Sequence, residues 1–88
     1  MKMKDLPAIT GFQLVRLLQL DGWVPDRKGR HGLALKKYMP DQKRTLVAIV
    51  PRTRTSLPKG TLGGILSTKQ TGLRRDGLAK LIQKHGLK

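Results

Sequence analysis

The segments His31-Gly32-Leu33-Ala34-Leu35-Lys36-Lys37-Tyr38 and Thr45-Leu46-Val47-Ala48-Ile49-Val50 lie on either side of Pro40-Asp41-Gln42, a turn-forming cluster, and are closed by Pro51. In the first, imperfect alternation puts Leu33 and Leu35 on one face and Ala34 and Tyr38 on the other, the period of a strand. The second is a β-branched apolar run ended by proline and predicts a central strand. Working backwards, Trp23-Val24 is an apolar pair interrupted by Pro25, which lacks a ladder donor and therefore points to an edge strand. Asp26-Arg27-Lys28-Gly29 has turn chemistry, with Gly29 as its structural glycine. Three strands joined by short turns predict an antiparallel sheet.

Helical signals flank this block. Thr10 and Gln13 form a T-x-x-Q capping box at the head of residues 10–21, where Leu14, Leu17 and Leu18 recur at helical spacing. Phe12, Val15 and Leu20 are expected to widen that buried stripe, and Gly22 to stop the helix. Residues 51–58 read as a basic, proline-bounded loop. A second helix begins near Lys59, carries Leu62, Ile65 and Leu66, and is given Gly72 as its stop. Its Gly63-Gly64 pair lacks the pattern of a phosphate loop and is assigned to close helix packing. A third helix covers about 74–85, with Leu78, Leu81 and Ile82 inward and Gly86 beyond its end. The expectation is one α+β domain over residues 1–88, with helices on one face of the sheet. Residues 1–9 are expected to be a flexible N-terminal segment.

Composition sets the partner class. Nineteen Lys and Arg stand against five acids, all Asp, for a formal charge of +14. Self-repulsion of that size is relieved by a polyanion, so nucleic acid is the expected partner. There is no cysteine for a disulfide or thiolate zinc site. Five scattered Asp offer no carboxylate cluster for a two-metal nuclease, and a G-x-S-x-G hydrolase motif is absent. Neither a metal nor a cofactor is expected. The opening residues are too short for a signal peptide and no run is long enough to span a bilayer, so the expectation is a cytoplasmic protein without membrane contact.

RNA can be cut without metal when a general base takes the 2′-OH proton and cations stabilise the phosphorane charge. His31 follows the basic turn Lys28-Gly29-Arg30, where an imidazole can project at the edge of a basic surface and is a candidate for that role. Position and composition alone favour a surface or capping histidine there, and strict alternation puts it on the Leu33/Leu35 face. His85, in a last helical turn, suits the negative end of the helix dipole. Arg52, Arg54 and Lys59 are candidates for phosphate contact because their loop runs into a helix start. Lys28, Arg30, Lys36 and Lys37 are further candidates for RNA contact. Trp23 and Tyr38 are read as core or edge packing, since two isolated aromatics do not make a stacking platform.

Three segments carry a family resemblance. They are Gly11-Phe12 with Leu14-Val15 and Gly22-Trp23, then Lys28-Gly29-Arg30-His31, and finally Val50-Pro51 with Leu57-Pro58-Lys59-Gly60-Thr61-Leu62, Ile65-Leu66 and Gly72-Leu73. In this order and spacing the chain resembles the HicA-type mRNA interferase toxins of toxin–antitoxin pairs. The resemblance implies a double-stranded-RNA-binding-domain-like α-β-β-β-α fold, with residues 74–86 as an additional C-terminal helix. It further implies metal-independent cleavage of mRNA, a catalytic His31, and inhibition by an acidic HicB-type antitoxin. Three positions depart from the pattern: Arg30 replaces a small residue, Ala34 an aromatic, and Arg52 or Thr53 a second histidine. The alternative expectation is a non-catalytic RNA-binding module of the same fold, and a structural ribonucleoprotein component is a third.

Overall fold

The computed structural model describes residues 7–30, 32–67 and 69–87. Its elements run α1 (Gly11–Leu20), β1 (Val24–Gly29), β2 (Gly32–Met39), β3 (Arg44–Val50), α2 (Lys59–Leu66) and α3 (Arg74–His85). Helix α1 starts where its capping box predicts. The Thr10 hydroxyl accepts from the Gln13 amide at 3.1 Å, and the Gln13 side-chain oxygen accepts from the Thr10 amide at 2.9 Å. Both otherwise orphaned donors are satisfied, so Thr10→Ala is expected to cost about 1 kcal/mol, readable as a lower urea midpoint with an unchanged slope. At the other end, the Trp23 amide reaches Leu18 O at 2.9 Å and Gly22, at φ +100°, reaches Gln19 O at 3.1 Å. This is a Schellman closure, with glycine in the left-handed position it requires.

The three strands form an antiparallel sheet in the order β1-β2-β3. β3 is therefore an edge strand, not the central strand expected from its apolar run. The reason is visible in its burial: Leu46, Ala48 and Val50 are buried, whereas Thr45, Val47 and Ile49 are exposed. A β-branched run suits a half-buried strand as well as a buried one. β1 is the other edge, and it accommodates Pro25 beside a bulge between Pro25 and Arg27. Asp26-Arg27-Lys28-Gly29 is strand rather than turn, because the extra bulge residue lets pairing continue to Gly29 opposite Gly32.

One core joins the layers. Leu14, Leu17 and Leu18 from α1 meet Leu33 and Leu35 from β2, Ala48 and Val50 from β3, Ile65 from α2 and Leu78 from α3. Each such leucine contributes about 1.5–3 kcal/mol relative to exposure. The helices pack against the sheet and each other, α1 and α2 on β3, and α3 on both helices. Within the expected flexible segment, Ile9 is instead among the most buried residues, held by the Leu57 amide donating to its carbonyl at 2.8 Å. Phe12 and Leu20 correct the predicted stripe: both are about half exposed, since a ten-residue helix packed on one side buries only the 14/17/18 face. α2 ends at Leu66, six residues before Gly72, because Ser67 turns extended and its hydroxyl donates to Gly64 O at 2.7 Å. Gly72, at φ +69°, instead shapes the link to α3.

Candidate nucleic-acid interface

Register gathers the basic residues of distant segments. Lys28 pairs with Leu33, which pairs in turn with Val50, and Gly29 pairs with Gly32 at the end of the ladder. At that same end a Cβ on Gly32 would lie 2.6 Å from the Val50 carbonyl carbon and 2.9 Å from the Pro51 nitrogen. Arg52 follows immediately. Lys28 and Arg30 from the β1–β2 hairpin and Arg52 from the chain after β3 thus belong to one end of the sheet, and all three are exposed. His31, the residue expected to be catalytic, lies outside the described residues.

The glycine that this hairpin needs is Gly32, at φ +144°, rather than Gly29. Among the described residues a Cβ on Gly29 would meet Gly32 O alone, at an ordinary 3.5 Å. The 51–58 loop is held by its own bonds: the Thr53 hydroxyl donates to Thr55 O at 3.0 Å, and Thr53 O accepts from the Phe12 amide at 3.3 Å. Thr53 is half-buried while Arg52 and Arg54 on either side of it are exposed, so the loop presents two guanidinium groups from a tethered backbone.

Other candidates separate from this group. Lys36 sits on the outer face of the sheet, 3.5 Å from Asp26 in an exposed ion pair of the kind worth about 0–1 kcal/mol. It lies between Val24 on β1 and Val47 on β3. Lys37 points the other way and is held by the end of α1. Its ammonium donates to Asp21 O at 2.7 Å and to the Asp21 carboxylate at 3.3 Å. A cation there satisfies the carbonyl end of α1, a role in the fold. Lys59 opens α2 and borders a groove beside α3 rather than the sheet end.

Val24, Tyr38, Val47 and Ile49 are all about half exposed, leaving an apolar surface around Lys36 on the outer face. Tyr38 is therefore not core, and it lies on the face that the alternation of β2 gives it, with Ala34 and Lys36 and opposite Leu33 and Leu35. Trp23 is buried as expected, with its indole N–H lacking a partner among the described residues. Among the described residues no group of three or more His, Cys, Asp or Glu is placed to hold a metal ion, and no helix is long and apolar enough to cross a membrane.

The arrangement can neutralise phosphate at one sheet end with side chains from two separate segments, and no carboxylate among the described residues forms an ion pair with Lys28, Arg30 or Arg52. No protein-family model matches the chain, and neither the curated proteins nor the solved structures include a match to it.

Proposed function

We propose that the chain is a metal-independent endoribonuclease acting on mRNA, similar to the HicA-type toxins and built on a double-stranded-RNA-binding-domain-like fold. His31 is its acid–base residue and an acidic HicB-type antitoxin its inhibitor. The observation that carries this reading is the convergence of Lys28, Arg30 and Arg52 at one sheet end, beside the G-R-H segment of the resemblance. The element order helix, three strands, helix, with α3 added after it, supports the fold assignment.

In the reaction, a base removes the ribose 2′-OH proton and the oxygen attacks the adjacent phosphorus. A 2′,3′-cyclic phosphate forms as the P–O5′ bond breaks, and the leaving 5′-oxygen takes up a proton. The cations stabilise the charge that gathers on the phosphoryl oxygens. Incubating the purified chain with a long single-stranded RNA in EDTA tests this directly. Cleavage leaving 2′,3′-cyclic phosphate ends is expected, and a 2′-deoxy analogue should stay intact. Cutting of that analogue overturns the mechanism, and RNA binding without cleavage favours the non-catalytic module.

Arg30→Gln with Arg52→Gln addresses the sheet end. If both arginines contact phosphate, the plot of log affinity against log salt should flatten by about 1.4, from roughly 0.7 per contact on single strands. An unchanged slope, measured by fluorescence anisotropy with labelled RNA, would remove both residues from the interface.

A further inference from the structure

A groove of about 600 Å³ lies on a different part of the surface, between the chain at residues 7–9, the 56–59 segment, α2 and the start of α3. Its volume is that of a ligand pocket. Ile9, Leu57 and Leu66, all buried, and the half-buried Leu62 give it an aliphatic floor. Lys59, Arg74 and Arg75 are exposed along it. It shares no lining residue with Lys28, Arg30 or Arg52.

The helix beside it is unusual in composition. α2 reads Lys-Gly-Thr-Leu-Gly-Gly-Ile-Leu, three glycines in eight residues. A glycine inside a helix costs up to about 1 kcal/mol relative to alanine. Close packing is the expected reason for Gly63 and Gly64, but among the described residues a Cβ at Gly60, Gly63 or Gly64 would meet nothing within 4 Å. Gly63 lines the groove. A stability loss that no contact among the described residues requires thus coincides with a surface that those residues leave open.

We infer that this groove docks an acidic peptide segment of a partner protein, with one or two large apolar side chains seated on the aliphatic floor and carboxylates facing Lys59, Arg74 and Arg75. Charge complementarity selects this occupant. A second copy of the chain brings another +14, and the chain's own opening residues, with Lys2 and Lys4 against Asp5, repeat the sign of the rim. A nucleic-acid base is a poorer fit. The described lining residues include no aromatic ring for stacking, and an aliphatic floor leaves base edges without partners.

The experiment selects a random 12-residue peptide display library on the immobilised full chain in 150 mM salt, then measures the enriched peptide by anisotropy. Enrichment of acidic residues around Leu, Ile, Met or Phe is expected. Gly63→Leu should weaken that peptide at least tenfold by filling the groove, while raising or preserving the melting temperature. Arg74→Glu with Arg75→Glu should weaken it as strongly, and Arg30→Gln with Arg52→Gln should not. The inference is overturned by no enrichment, by acidic peptides without apolar residues, or by a peptide that neither groove variant weakens. Binding of phosphatidylglycerol vesicles that Gly63→Leu abolishes would assign the groove to lipid instead. Loss of RNA affinity in the Arg74/Arg75 variant equal to that in the Arg30/Arg52 variant would assign it to nucleic acid. RNA cleavage by Gly63→Leu should match the parent, and a parent that cuts no RNA leaves the peptide result standing.

Discussion

Gly32→Ala is expected to destabilise the fold by on the order of 3 kcal/mol or more, a shift that a urea titration resolves easily. Two separate effects add. The residue sits at φ +144°, where a Cβ is strained by about 1–3 kcal/mol whatever space surrounds it. Its Cβ would also press on the Val50 carbonyl, with the Pro51 nitrogen 2.9 Å away, and backbone cannot yield as a flexible side chain can. Gly11→Ala should be comparably severe for the second reason alone, since its Cβ would overlap the Pro51 carbonyl and lie 2.8 Å from the Thr53 nitrogen. Whole-domain stability at about 0.05–0.15 kcal/mol per residue makes either loss a major fraction of the total. Gly64→Ala supplies the contrast. With no described residue near its Cβ, it should gain about 0.5–1 kcal/mol from helix propensity. Urea titrations of the three variants check the pattern, and a Gly32→Ala midpoint equal to the parent's would show that the β2 start does not press against Val50.

Those glycines also mark the boundary of what the chain discloses before folding. The capping box at Thr10, the stop at Gly22, the alternation of β2 and the 78/81 face of α3 are local patterns, set by residues within a turn or two of each other. All were legible. The approach of Gly11 and Gly32 to the Val50–Thr53 backbone joins segments about 20–40 residues apart, and nothing near either glycine announces it. The same limit applies to Ile9, whose burial depends on Leu57. Position within the sheet is likewise non-local, so β3 as an edge follows only from the order β1-β2-β3, and the exposure of Val47 and Ile49 from the helices packing on the opposite face. For the candidate interface, the basic residues could be named individually, but their grouping required the register. Lys28, Arg30 and Arg52 come together, whereas Lys36 and Lys37, neighbours in sequence, go to opposite faces and take Asp26 and Asp21 as partners.

His31→Ala is expected to lower the rate of RNA cleavage by about 10²–10⁴-fold, the range that acid–base catalysis supplies. RNA affinity should stay within about twofold, because phosphate contacts rest on the lysines and arginines and not on this imidazole. The split between chemistry and binding is the informative quantity. Arg30→Gln with Arg52→Gln should instead lower both, weakening affinity and its salt dependence and also slowing cleavage at saturating RNA, because the same cations stabilise the phosphoryl charge of the transition state. A variant that lost activity through misfolding would lose both and would melt early. Free imidazole adds a readout that a structural role would not move: supplied to His31→Ala, it should restore part of the cleavage by taking or giving the proton that the missing side chain handled. Full activity in His31→Ala, with the same 2′,3′-cyclic ends, would remove the residue from the reaction. The cations at the sheet end would then have to account for catalysis by positioning and charge alone, and the 2′-OH would need another base.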